Sequence, residues 1–299
     1  MFLASDNNYA PFVATTIASV CYNTKSFVSF YVLDSGIIPT NKDKIKQLEK
    51  KFSNFSIEFI KIDISKTFTN TSNFCWTDAT YSRLLIPSLK PDLDKVIYMD
   101  VDICAFNDIC RLYQEDLSGH IIGATEACFA IHSCKKIFNA GVLLIDCKKW
   151  REKDISNKIT ESYNKLKRDG KGYTDTDILF DIFLNDFKFL SPRYNYNVSD
   201  CEINFLTESF DVDMLLSEKK QITLRHYMVG KPWRKRKQTI DNSVEFFAFA
   251  KMTPFWDEII NMYKNKKYPR FFIHLLCAFI PNKKIRKRIT RKYAVEKYK

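Results

Sequence analysis

Between Met1 and Asp102 the chain alternates short apolar runs with segments of helical period, and Asp6, Asp34 and Asp100 each lie just after such a run. Phe2–Ala4, Ser29–Leu33, Ile57–Ile62 and Lys95–Met99 are strand candidates. Among the segments between them, Pro11–Tyr22 places Val13, Ile17, Val20 and Cys21 on one helical face, and Pro11 suits a helix start. Asn41–Phe52 and Asp78–Leu85 also read as helices. This βαβα order implies an α/β fold with a largely parallel sheet covered by helices. Ligands of such sheets sit beyond the carboxyl ends of the strands. Asp6, Asp34 and Asp100 all follow strand candidates and converge on that edge.

The second half continues the pattern. Ala140–Ile145 is an apolar run, and Lys148–Lys167 reads as one helix carrying Trp150, Ile155, Ile159, Tyr163 and Leu166 at helical spacing. Thr174–Phe183 is another, with Ile178, Leu179, Ile182 and Phe183 inward and two aspartates in its first turn.

Composition excludes several classes. With 7 glycines the chain has no GxGxxG or GxxxxGKS/T phosphate loop. The 9 cysteines show no CxxC pairing or zinc-like spacing. Met1–Cys21 lacks a basic leader and carries Asp6, Asn7 and Asn8, a poor signal peptide, so free thiols in a reducing cytosol are expected. The net charge of +12 would point to nucleic acid were it spread over the fold. It is not: Lys264–Lys299 holds 13 Lys/Arg and one acid, Glu296, whereas Met1–Tyr263 holds 34 basic and 34 acidic residues. The basicity belongs to an appendage.

Three segments carry chemistry. Asp100-Val101-Asp102 puts two carboxylates at a strand end, where both can reach one Mg²⁺ or Mn²⁺, ions that clamp phosphate oxygens. A bare DxD is more often a solvated acidic turn. Phe138–Asp146 opens with Asn139-Ala140-Gly141, small enough for close backbone approach to a ligand, or simply a turn before a buried strand. His226–Trp233 offers an imidazole, Gly230 and the cation Lys231, although a lone histidine is more often structural.

Taken together these segments resemble glycosyltransferase family 8, the glycogenin-like retaining enzymes, and within it the bacterial lipooligosaccharide galactosyl- and glucosyltransferases. The resemblance runs, in family order, through Ala4–Tyr9, Phe30–Asp34, Tyr81–Leu84, Lys95–Asp102, Phe138–Asp146 with Lys149-Trp150-Arg151, Tyr173–Leu179 and His226–Trp233. It implies a GT-A fold with a mixed sheet, and Mn²⁺ (or Mg²⁺) held by Asp100, Asp102 and His226 with the phosphates of UDP. It implies that Ala4, Asp6, Asn8 and Tyr9 cradle uridine and that Val101, Ala140 and Gly230 line the donor. By the same resemblance Lys231 neutralises diphosphate, and Arg83, Asn139 and Asp175 contact the donor sugar. The expected reaction is retaining transfer of a hexose from UDP-galactose or UDP-glucose to a glycan or glycolipid hydroxyl, with Asp175 and Thr176 as the catalytic pair. Two departures stand out. Thr176 occupies the place of the family's usual Gln, and the segment after His226 is one residue shorter.

Within the tail, Phe271, Phe272, Leu275, Leu276 and Phe279 form an apolar stripe between basic clusters. About ten residues are too few for a span needing ~20, so this reads as a basic amphipathic segment lying on an anionic membrane surface. An RNA-binding arm or a helix docked on its own domain are the other readings. The expected organisation is a catalytic domain over 1–263 and a membrane-surface tail over 264–299, peripheral on the cytoplasmic face of the cell membrane. No nucleic acid partner is expected. The alternative is a non-catalytic membrane or nucleic-acid binding protein on a degenerate transferase fold.

Overall fold

The computed structural model describes residues 1–64, 68, 78–127, 137–169, 174–198, 212–228, 231–234 and 243–264. At its centre lies β1 (Phe2–Ser5), whose four residues are all buried, as a strand covered on both faces requires. It pairs in parallel with β2 (Val28–Asp34) and β4 (Lys95–Met99), and β3 (Phe55–Lys61) extends β2 in parallel. β5 (Ile103–Ala105) leaves the main sheet to pair antiparallel with β9 (Leu224–His226). Beyond β4 come β7 (Phe138–Asp146), β6 (Ile122–Glu126) and β8 (Lys188–Phe189), giving the order β3-β2-β1-β4-β7-β6-β8.

The expectation of a largely parallel sheet holds for β1–β4 and fails at β7, which runs antiparallel to both β4 and β6. Antiparallel neighbours need no crossover helix.

The described helices include α1 (Ala10–Asn23), α2 (Pro39–Lys46), α3 (Ile86–Leu89), α4 (Cys110–Gln114), α5 (Cys147–Glu152), α6 (Ile155–Arg168) and α7 (Asp175–Phe183). Pro11 starts α1 as expected, yet the helix is buried all round from Ala10 to Cys21 because β5 and the helix Ser243–Ala250 cover its outer side. α2 begins at Pro39 and yields to a 3-10 turn at Gln47–Lys50, short of the expected Asn41–Phe52. Asp78–Leu85 is likewise a 3-10 helix. The single helix expected over Lys148–Lys167 is two, α5 and α6. Asp154 sits between them at φ 51, a left-handed conformation that a short polar side chain tolerates, and its carboxylate accepts from Asn157 Nδ2 at 2.6 Å.

Apolar residues divide between the two faces of the sheet. Ile97 and Met99 of β4 face α1, while Val96 and Tyr98 join Trp150, Ile159, Ile178 and Phe183 under α5–α7. Each fully buried side chain such as Leu143 stabilises the fold by roughly 1.5–3 kcal/mol. Strand alternation changes phase within β7. Phe138 and Ala140 share a face with Leu143 and Ile145, and Val142 and Leu144 take the other. The pairing with β6 shifts over the same stretch, from Gly123↔Leu144 to Thr125↔Asn139, as a β-bulge does. The bulge falls at Asn139-Ala140-Gly141, beside the end of β4. Cys21, Cys104, Cys110 and Cys147 are free thiols, and burial pushes Cys21 and Cys147 up to about 12.

Candidate active site at the carboxyl ends of the central strands

The Asp100-Val101-Asp102 turn follows β4 and is held from three sides. Asp100 N–H donates to Gly141 O of β7 at 2.8 Å, and Tyr227 N–H donates to Asp102 O at 2.9 Å. From α1, the Thr16 hydroxyl lies 3.1 Å from Val101 O and 2.7 Å from Ile103 O. Val101 itself is buried, so the two flanking carboxylates are left to reach the site. One ligand atom each of Asp100, Asp102 and His226 fall within 4.8 Å of one another. Two hard carboxylate oxygens and an imidazole form a donor set that fits Mn²⁺ or Mg²⁺.

Each ligand is tied on its far side. Tyr98 donates its hydroxyl to Asp100 Oδ1 at 2.6 Å, and Arg83 Nη2 lies 3.1 Å from the same oxygen, which leaves Oδ2 outside these contacts. Asp102 Oδ2 pairs with Lys231 Nζ, and Oδ1 lies 3.3 Å from His226 Nε2. Burial opposes ionisation of Asp102, yet His226 and Lys231 outweigh it and hold its pKa below the usual carboxylate range. Lys231 arrives on a loop anchored by Trp233, which stacks on Phe12 of α1 with ring centroids 3.8 Å apart.

Arg83 joins this cluster to α7. Buried to 6% exposure, it donates to Ala140 O at 2.6 Å through Nη1 and meets Asp175 Oδ2 at 2.9 Å through Nε. Burial works against its charge, but Asp100 and then Asp175 hold its pKa above the ordinary arginine value. Burial raises the pKa of Asp175, Arg83 opposes, and Asp100 adds to the rise. Asp175 and Thr176 open α7, whose start is fixed by a capping box between Thr174 and Asp177. Thr176 is half-buried.

The other expected residues divide clearly. Ala4 lies one residue before the end of β1, and Asp6, Asn8 and Tyr9 follow the strand at the same sheet edge as Asp100. Asp6 caps a 3-10 turn by accepting from Tyr9 N–H at 3.1 Å, and Asn8 is exposed. Asp34 points elsewhere: it accepts from Gly36 and Ile37 N–H and pairs with Lys42, a loop anchor despite its strand-end position. Gly230 and Tyr173 lie outside the described residues, as does the tail over 265–299. Sequence reasoning missed Tyr98 and Asn195, which contact the ligand set only through tertiary structure. Asn195 reaches His226 Nδ1 at 2.9 Å from 31 positions away.

The carboxyl edge of the sheet thus brings together a DxD turn, a buried histidine and Lys231 as a candidate site. The model of glycosyl transferase family 8 matches residues 1–237, and the chain belongs to that family. A Haemophilus influenzae protein, named provisionally as a glycosyltransferase, is 29% identical over 97% of this chain and 87% of its own length. Glycosyltransferase GlyF of Streptococcus pneumoniae is 31% identical, covering 77% of this chain and 56% of GlyF. Among solved structures, the galactosyltransferase LgtC, in complex with donor and acceptor sugar analogs, superposes with a TM-score of 0.71 at 26% identity. It covers 86% of this chain and 99% of LgtC. The fold is thus of the GT-A type, and the chain is a glycosyltransferase carrying a candidate divalent-metal site.

Proposed function

We propose that this protein is a retaining hexosyltransferase that moves galactose or glucose from a UDP-sugar to a sugar hydroxyl of a lipooligosaccharide or similar surface glycan, with Mn²⁺ at Asp100, Asp102 and His226. The observation that carries the reading is the single connected cluster in which Arg83 bridges the DxD turn to Asp175. A divalent cation bound there supplies Lewis-acid stabilisation of a leaving diphosphate.

The chain's own residues do the rest. Lys231, fixed by Trp233 beside Asp102, neutralises diphosphate charge. Asp6 and Tyr9, at the neighbouring strand end, offer a carboxylate for the uracil N–H and a ring for the base, with Ala4 and Asn8 beside them. Arg83, Asn139 and Asp175 orient the donor sugar. Asp175 and Thr176 at the start of α7 stabilise positive charge at the anomeric centre, while the acceptor attacks from the leaving-group face. The tail places the enzyme on the inner, anionic face of a membrane. No described helix is long and apolar enough to cross one.

Calorimetry with UDP in the presence and absence of Mn²⁺ tests the reading, followed by a UDP-sugar hydrolysis panel and transfer to lactose. Metal-dependent UDP binding, lost in Asp100→Asn, is the expected result. Near-normal turnover of Asp100→Asn at limiting Mn²⁺ would sink the metal assignment. Salt-sensitive RNA binding without UDP binding would favour a non-catalytic protein.

A further inference from the structure

We propose that Asn195 is a positioning residue that sets the tautomer of His226, so that Nε2 presents a lone pair to the metal; this rests on the metal-dependent reading above. The geometry starts from a donor that cannot reverse. Gly141 N–H reaches the Asn139 side chain at 2.8 Å, so the atom it meets is the amide oxygen. Asn195 meets that same oxygen at 2.9 Å, so it must do so with its amide nitrogen. Its own oxygen then faces His226 Nδ1 at 2.9 Å. An amide oxygen only accepts, so Nδ1 carries the hydrogen. Amide orientation, ordinarily an assignment, is here dictated by the backbone.

A neutral imidazole has one N–H, which leaves Nε2 as an acceptor 3.3 Å from Asp102 Oδ1. Two acceptors facing one another at that distance call for a positive charge between them, a proton or a cation ligated by both. Asn195 and His226 are 2% and 3% exposed, so the relay is shielded from solvent. Partners of this kind fix ligand orientation, and removing one typically weakens metal binding ~10–100-fold. The relay also gives Asn139 a second task. Its oxygen is committed to Gly141 and Asn195, and among the described residues its nitrogen meets only the weak acceptor Met228 Sδ at 3.3 Å, which leaves that N–H group for a sugar hydroxyl.

The test reads the ring protonation directly, by ¹⁵N long-range correlation spectra of the full chain with chelator present. His226→Gln assigns the signal. The wild type should show Nδ1–H, whereas Asn195→Ala should show Nε2–H or a mixture. In parallel, calorimetry should find Mn²⁺ binding to the UDP-saturated Asn195→Ala protein weakened about 10-fold or more. Asn195→Asp keeps an acceptor opposite Nδ1, so it should retain Nδ1–H, although its second oxygen has no hydrogen to give Asn139 Oδ1. A wild type with hydrogen on Nε2 and none on Nδ1 would overturn the proposal, and so would a folded Asn195→Ala protein with wild-type Mn²⁺ affinity. If Asn195→Ala does not fold, the wild-type and Asn195→Asp spectra decide, and an Nε2–H Asp variant refutes. Failure of wild type to bind UDP with metal would remove the transferase reading, while the tautomer measurement would still judge the relay.

Discussion

Gly141 and His226 are packed so closely that a Cβ on Gly141 would stand 2.5 Å from His226 Cε1 and 2.9 Å from His226 Nδ1. The glycine's own N–H starts the hydrogen-bond chain that holds the far side of the same ring. One residue of β7 therefore provides both the space and the anchor for the proposed metal ligand, and the bulge in β7 brings it there.

Gly141→Ala should accordingly displace the imidazole. Overpacking of this kind costs about 1–3 kcal/mol, and the metal site should suffer more than the fold. The expected outcome is a modest fall in Tm with UDP affinity in Mn²⁺ reduced roughly 10-fold or more. A variant with unchanged metal-dependent UDP binding would show that the ring can shift freely.

The pH dependence of stability should carry a signature of Asp102. Its pKa is lowered below the ordinary carboxylate value, by His226 and then Lys231 outweighing burial. Between the folded and unfolded pKa values the unfolded chain binds more protons, so the stabilisation is complete above about pH 4 and fades as pH falls. Denaturant titrations in chelator should therefore show a shallower acid limb for Asp102→Asn than for wild type. Superimposable limbs would contradict the pairing.

Thr176 stands where the family usually has Gln, and we expect the wild-type protein to be active with front-face attack and electrostatic help from Asp175 and Thr176. Thr176→Gln should then change turnover by less than about tenfold, or 1.4 kcal/mol in barrier. No transfer by wild type together with rescue by Thr176→Gln would mark a degenerate enzyme instead.

The tail should separate cleanly from chemistry. Polybasic segments gain on the order of 1 kcal/mol per Lys/Arg near an anionic surface, and 13 such residues lie beyond Tyr263. A chain ending at Tyr268 should lose co-sedimentation with acidic vesicles at low salt while keeping activity on small soluble acceptors. Full-length binding should weaken as salt shortens the Debye length to about 3 Å at 1 M, with an apolar remainder from Phe271, Phe272, Leu275 and Phe279. Unchanged vesicle binding on truncation would end the membrane role, and unfolding would make the tail part of the core.

The sequence by itself determined the local elements and the strand-end placement of chemistry. Period-2 and period-3.6 patterns are local, so β1, β2, β4, α1 and α7 were legible, and with them Asp100, Asp102 and Asp175 at element ends. Proline and aspartate boundaries were read less well, because Asp154 in a left-handed conformation breaks a helix without disturbing its apolar spacing. The identical strand-end position of Asp34 and Asp100 shows the limit more sharply. Backbone N–H groups of its own loop and Lys42 absorb Asp34, whereas Asp100 is met by Tyr98 and Arg83 and left with an oxygen to offer. Only the tertiary structure decided the direction of β7, the bulge at Asn139-Ala140-Gly141, and the meeting of Asn195 with His226. These depend on contacts between segments far apart in the chain, and pairing direction and hydrogen-bond partners of that kind leave no period in the sequence to read.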